Sequence, residues 1–326
     1  MGQLLEKALA AGASDVHLNS TSTGCSIYFR VHGVLSQALS YDAKLFEGLR
    51  ALIKLHAHFD VSVETQPQDG RMSYLYQGKR YDIRLSSLPT VFGEDFVFRF
   101  FQTQSNQIGL TELGFSKTAS SLIQSMLNLD SGLILVTGPT GSGKTTTLYS
   151  LLTSLVQQKK INIVSLEDPV EAILEGVRQS QINTAIGYTF AKGLRAVLRQ
   201  DPDCIMLGEI RDQETAQIAL EAAYTGHLVL ATLHTSDCKS SLLRLAGFGL
   251  DPFLVGYALK GIISQKLVLK SGSQGRMVWS EVMRVNTPFA GNPFQEVDRF
   301  MSENDLDSFA QDWKLKLAEG VVVETR

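Results

Sequence analysis

The stretch Leu133-Ile-Leu-Val136, followed by Gly138-Pro-Thr-Gly-Ser-Gly-Lys-Thr145, decides how the rest of the chain is read. The apolar run has the length and character of a buried strand. The loop after it fits G-x-x-x-x-G-K-[ST], and a helix is expected to begin near Lys144, which is the context that pattern needs. Gly138, Gly141 and Gly143 let backbone N–H groups turn inward around a phosphate, with Pro139, Thr140 and Ser142 between them. The N-terminus of the helix adds partial positive charge. Lys144 reaches β- and γ-phosphates, the Thr145 hydroxyl can hold Mg²⁺, and Thr146 extends the same turn. The expected ligands are therefore ATP and Mg²⁺. The plain alternative, a Gly-rich turn without a ligand, does not account for a strand and a helix placed correctly on either side.

Two further strands end in acids. Asp201-Pro-Asp-Cys-Ile-Met-Leu-Gly-Glu209 closes on Glu209, with Gly208 where an aspartate is usual. Such a strand lies beside the phosphate-loop strand, so its carboxyl end faces the phosphates. A carboxylate there orients the attacking water and accepts its proton, which makes Glu209 the expected catalytic acid. Ile161-Asn-Ile-Val-Ser-Leu-Glu-Asp-Pro-Val-Glu171 leaves Glu167 and Asp168 at a rim that Pro169 terminates. A turn or helix cap would explain these acids equally well. Beside the phosphate loop they suggest a contact from Glu167 to Mg²⁺ or water. His227 and His234 bracket the strand Leu228 to Leu233 on opposite faces, which argues against a shared metal. Each is either a hydrogen-bond partner of the γ-phosphate or a structural histidine.

Outward from these motifs the chain alternates short apolar strands with helices, notably Thr189 to Arg199 and Asp212 to Tyr224. That alternation predicts a mainly parallel sheet covered on both faces. Ahead of it, residues 1–101 mix helix and antiparallel strand. Asp42 to Phe59 puts Leu45, Leu49 and Leu52 on one helical face, with Phe46 and Ile53 alongside. Met72 to Tyr76 and Lys79 to Leu85 read as a hairpin around Gln77-Gly78, and a third strand runs from Asp95 to Phe101. The polar run 102–107 reads as a linker. Residues 108–326 then form the second domain, with a partly helical tail over Asp305 to Leu317.

The 326 residues, 44% hydrophobic and 19% charged, suit two globular domains. A net charge of -3 and the lack of a basic, aromatic-interleaved stretch argue against direct nucleic-acid binding. No apolar run approaches the ~18 residues of a membrane span, and the N-terminus has no secretory pattern. A cytoplasmic chain is expected, reaching a membrane only through partners. Cys25, Cys204 and Cys238 lie far apart and read as reduced packing residues, so no zinc is expected.

Two arginines need explaining. On the hairpin strand, Arg80, Asp82 and Arg84 share the face opposite Tyr81, Ile83 and Leu85. Arg99 sits between Val97 and Phe101, opposite Phe96, Phe98 and Phe100. An arginine framed by apolar residues needs a partner. Either Glu64, Glu94 or Asp95 supplies it, or another subunit's nucleotide does, because a guanidinium matches phosphate oxygens. Arg195 and Arg199 project together from a helix, as a solvated face or a phosphate contact.

The stretches GPTGSGKTTTLY, SLEDPVE, LRQDPDCIMLGEIRDQET and TGHLVLATLHTSD resemble the Walker A, Asp box, Walker B and His box of the type II secretion and type IV pilus ATPases. GASDVHL, QPQDGRM and YDIRLSSLPTVFGEDFVFRF resemble the same family's N-terminal domain. The likeness runs from about Gly12 to Met283, with the motifs in the family's order and spacing. It implies an N-terminal α+β, PAS-like domain followed by a RecA-like P-loop domain. It implies a homo-hexamer at the inner face of the membrane, working through a polytopic platform protein to assemble pilin-like subunits. It gives Glu209 the Walker B role, Glu167 and Glu171 the Asp box, His227 and His234 the His box, and matches Arg84 and Arg99 to arginines that complete the ATP site. The four-cysteine zinc module of larger members is replaced by the short segment 269–275, and the chain starts almost at GASDVHL. Those two features resemble the competence-pilus ATPase of Gram-positive bacteria. The Ala-Ile-Arg-Asn-Asp-Gly signature of retraction ATPases is missing.

Overall fold

A computed structural model describes residues 1–31, 33–102, 109–158, 160–271, 275–286 and 291–322. Of the expected linker 102–107 only the backbone of Gln102 lies within that description, as does only part of segment 269–275; the side chains of Arg80, Phe101, Gln102 and Thr111 lie outside it. The chain divides into two compact units, Met1–Ser105 with Glu171–Ile173, and Asn106–Val170 with Leu174–Arg326. No described helix is long and apolar enough to cross a membrane.

The first unit is an antiparallel sheet backed by two helices. Its elements are α1 (Gly2–Ala10), β1 (Asp15–Thr21), β2 (Gly24–Val31), β3 (Val34–Asp42), α2 (Ala43–Ala57), β4 (Gln68–Tyr76), β5 (Lys79–Thr90) and β6 (Gly93–Gln102), with strand order β3-β2-β1-β6-β5-β4. Side chains alternate across a strand, so each strand gives one face to the core. Val16, Leu18, Ile27, Phe29, Ile83, Leu85, Phe96 and Phe98 pack against Leu4, Leu5 and Ala8 of α1 and Phe46, Leu49, Ile53 and Ala57 of α2. The buried stripe of α2 thus differs from the expected one. Leu45 and Leu52 are 60% and 43% exposed, because the stripe centres on Phe46 and Ile53 rather than on Leu45. Asp42 caps α2 by accepting from the Leu45 N–H at 2.8 Å.

The second unit carries α3 (Leu110–Leu113), α4 (Lys117–Leu127), β7 (Gly132–Thr137), α5 (Lys144–Gln158), β8 (Ile163–Glu167), β9 (Val177–Gln181), α6 (Phe190–Val197), β10 (Cys204–Leu207), α7 (Gln213–Tyr224), β11 (Leu228–Leu233), α8 (Cys238–Gly247), α9 (Pro252–Ala258), β12 (Leu259–Leu269), β13 (Arg276–Arg284), α10 (Val297–Ser302), β14 (Asp305–Asp307) and α11 (Phe309–Ala318). The sheet order is β14-β13-β12-β7-β11-β10-β8-β9. From β12 to β9 the pairings are parallel; β13 and β14 join antiparallel. β7, β8, β10 and β11 are buried along their whole length, as strands covered on both faces must be. Their carboxyl ends lie at one rim of the sheet.

The tail is structural. Trp279 of β13 packs edge-on against Phe309 at a centroid distance of 5.0 Å and at a tilt against Trp313 of α11 at 5.2 Å. Asp312, 0% exposed, accepts from the Ser280 N–H at 2.8 Å and binds Lys316 one turn on. Cys25, Cys204 and Cys238 are buried.

Candidate nucleotide site

The loop between β7 and α5 is built from residues that only its own backbone permits. Gly138, Gly141 and Gly143 all have positive φ. A Cβ on Gly138 would lie 2.3 Å from the Gln265 carbonyl oxygen and 2.5 Å from Ser142 Oγ, so a side chain there fills the cradle. Gln265 of β12, wholly buried, donates from Nε2 to the Ser142 carbonyl at 2.6 Å and braces the loop from beneath. Nothing in the pattern around Gln265 marked it as part of the site; only the pairing of β12 with β7 does.

Lys144 opens α5, is 9% exposed, and donates from Nζ to the carbonyls of Gly138 at 2.8 Å and Pro139 at 3.0 Å. Burial lowers its pKa, opposed by the charge of Glu209. Ser142 Oγ and Thr147 Oγ1 are buried with no hydrogen-bond partner among the described residues. Thr145 and Thr146 are exposed at the first turn. A loop with this cradle, an ammonium and a helix start has the chemistry that suits a phosphate chain.

Three loops at the carboxyl rim converge on Lys144. His234 follows β11, and its Nδ1 lies 3.4 Å from Lys144 Nζ. Its Nε2 lies 3.6 Å from Glu209 Oε2, just beyond β10. Burial and the Lys144 charge lower the His234 pKa, so the ring is neutral at pH 7. A ring accepting at Nδ1 from the ammonium carries its proton on Nε2, toward Glu209. The other Glu209 oxygen, Oε1, accepts from Arg211 Nη2. Arg211 Nη1 stands 3.6 Å from Asp168 Oδ2 after β8. Gly208 sets the turn before Glu209: its N–H donates to the Leu166 carbonyl at 2.8 Å and its carbonyl accepts from Thr232 Oγ1 at 2.5 Å.

Other expected site residues lie elsewhere. Glu167 is 2% exposed. Its Oε1 accepts from Ser165 at 2.6 Å and Gln179 at 3.0 Å, and Oε2 accepts from Tyr149. The carboxylate thus ties α5 to β8 and β9. His227 sits at the opposite end of β11, about 20 Å away at the rise of a strand, with Nδ1 3.0 Å from the Ala222 carbonyl oxygen. Arg195 donates to Glu214 of α7 at 2.7 Å, and Arg199 to the Arg195 carbonyl at 2.8 Å.

In the first unit, none of the acids expected to pair with Arg84 and Arg99 does so. Glu64 is taken by Arg50 at 3.3 Å and Glu94 by the buried Lys54 at 2.7 Å, while Asp95 accepts from the Ser20 N–H at 2.7 Å. Arg99 instead donates to Asp15 at 2.7 Å, and Arg84 to Glu171 at 3.0 Å. Arg71, Arg84, Arg99, Asp15 and Arg30 are directly opposite one another across β4, β5, β6, β1 and β2, on the face turned from the helices.

An α+β unit joined to a RecA-like unit with a phosphate-binding loop is the class defined by fold and site. The chain belongs to the type II/IV secretion system protein family, whose model matches residues 1–307. It is 45% identical over 273 residues to the putative type II secretion system protein E of Escherichia coli K12, covering 84% of this chain and 55% of that protein. It thus spans about half the length of the curated relatives it matches. Among solved structures, the pilus retraction motor PilT with bound ADP has a TM-score of 0.76 at 28% identity, covering 99% of this chain and 94% of that one. The Legionella pneumophila ATPase DotB has a TM-score of 0.82 at 24% identity, covering 99% and 93%, a likeness of fold.

Proposed function

We propose that the chain hydrolyses ATP and couples that hydrolysis to a secretion or pilus-assembly machine. The observation that carries this reading is the convergence of Lys144, His234 and Glu209 at the mouth of the Gly138–Thr145 loop. The loop's N–H groups and Lys144 hold the β- and γ-phosphates. Glu209 takes a proton from a water whose oxygen bonds to the γ-phosphorus as the bond to the ADP oxygen breaks. The Thr145 hydroxyl would hold Mg²⁺, which would supply positive charge against the phosphates. Glu167 supports the site by fixing α5 rather than by touching the ion. Arg84 and Arg99, from the same or a neighbouring subunit, supply positive charge to the γ-phosphate.

In the cell the chain works as a homo-hexamer at the inner face of the membrane, through a polytopic platform protein and, indirectly, pilin-like subunits. The machine proposed is a competence pilus for DNA uptake, because segment 269–275 carries none of the cysteines of a zinc module. The likeness to PilT favours a second reading, pilus retraction. A deletion strain without pili supports assembly, and one with excess pili supports retraction. For the chemistry, Glu209→Gln is expected to bind MgATP as wild type does and to lose turnover. Lys144→Ala is expected to lose nucleotide affinity. Near-wild-type turnover in Glu209→Gln would remove Glu209 from the catalytic role. Steady-state ATPase activity of the assembled protein separates a motor from a nucleotide-gated scaffold.

A further inference from the structure

The geometry points to Arg211 as the positioning residue that orients the Glu209 carboxylate. This rests on Glu209 being the catalytic acid. A carboxylate that accepts a proton from water works best with one oxygen aimed at the reacting atoms and the other anchored. The two oxygens of Glu209 are distinguished in that way. Oε1 accepts from Arg211 Nη2, whereas Oε2 faces His234 and, through its ring, Lys144.

Glu209 lies on a loop just after Leu207, the last residue of β10, so the backbone alone leaves its side chain several rotamers. Two backbone bonds fix Gly208 but none reaches the carboxylate. The guanidinium does, and its fork takes a second acid at the same time: Nη1 stands 3.6 Å from Asp168 Oδ2. Arg211 therefore ties the loop after β10 to the loop after β8, two adjacent strands of the sheet. A planar fork can hold two carboxylates in a fixed relation; a lysine ammonium holds them only as a point charge. Arg211 does not itself face Lys144 or the glycine loop through any hydrogen bond described here. Its side chain is 59% exposed, so replacing it removes the clamp without opening a core.

The test compares Arg211→Gln, Arg211→Lys, Arg211→Ala, Glu209→Gln and the Arg211→Gln/Glu209→Gln double variant in the full-length chain. We expect Arg211→Gln to lower kcat at least about tenfold with KM for MgATP changed less than about twofold, the signature of a group that aligns the reacting carboxylate rather than binding substrate. Arg211→Lys should recover part of that loss. The double variant should be no slower than Glu209→Gln, because both act through one group. Low concentrations of guanidinium ion should restore turnover to Arg211→Ala, and equal ionic strength of sodium chloride should not. Wild-type or raised kcat in Arg211→Gln, or losses that multiply in the double variant, would overturn the assignment. If Glu209→Gln itself keeps its turnover, the identification of the catalytic acid fails instead, and the two failures are told apart.

Discussion

The imidazole of His234 stands between the ammonium of Lys144, 3.4 Å from Nδ1, and the carboxylate of Glu209, 3.6 Å from Nε2. A ring in that position links the lysine of the glycine loop to the carboxylate we propose acts on water. It must be neutral to do so, since a second positive charge beside Lys144 is repelled.

That requirement makes the site sensitive to pH. The pKa of His234 is lowered by burial and by Lys144. A group depressed in the folded state contributes stability that is present above its ordinary value, about 6.5, and is lost as pH falls through the folded value. The unfolding midpoint of wild type, measured against His234→Gln, should therefore fall as the pH is lowered from about 8 to about 5. The shift is small, because half of the side chain is in solvent. A midpoint difference independent of pH would show that the ring is not held neutral by its neighbours. Glutamine keeps a hydrogen-bonding amide, so nucleotide binding should survive while turnover falls.

Gly138→Ala tests the cradle. The added methyl meets the Gln265 carbonyl and Ser142 Oγ, and φ of +150° does not suit an L side chain. Relief needs the loop to shift, at a cost of about 1–3 kcal/mol. Affinity for a fluorescent ATP analogue should fall by about ten- to hundredfold, with the melting temperature lowered by only about a few degrees. Unaltered affinity would mean the glycine loop does not hold the phosphates.

Asp15 and Arg99 offer a test confined to the first unit. Burial pushes the Asp15 carboxyl up, but hydrogen bonds from Arg99 and Ser14 outweigh it and hold the pKa below the ordinary carboxylate value. Stability from this pair is present above that value and lost as pH falls through the folded one. Asp15→Asn should thus destabilise the chain at neutral pH, and the difference from wild type should close in acid. Urea denaturation at several pH values reads this directly. The same substitution frees the Arg99 guanidinium from its direct cross-strand acid, so a change in the salt dependence of ATP turnover should accompany it.

Lys316→Met breaks an ion pair whose members are 2–3% and 0% exposed. It leaves the Asp312 charge buried against β13, and stability in chemical denaturation should drop by about 3–5 kcal/mol. Replacing both residues, as Asp312→Leu/Lys316→Met, should recover much of that loss. A single variant as stable as wild type would place α11 outside the cooperative unit.

The parts of this molecule readable without coordinates are the local ones. The glycine loop, its lysine, the apolar strand before it and the caps of the helices each act within a few residues, where backbone geometry and periodicity leave little choice. Family membership followed from the order of such motifs. The rest depended on which distant segments meet. Glu167 and Glu209 both end apolar strands, and in the sequence both carboxylates read as facing the phosphates. Tyr149, Ser165 and Gln179 close around one, while Arg211 and His234 leave the other at the rim. Arg99 finds Asp15, 84 residues away, through strand register, and Gln265 reaches the phosphate loop because β12 lies against β7. A side chain's chemistry is a property of its type, but its partner is fixed by the packing of elements remote in the chain, and here that packing decided which acid faces the lysine.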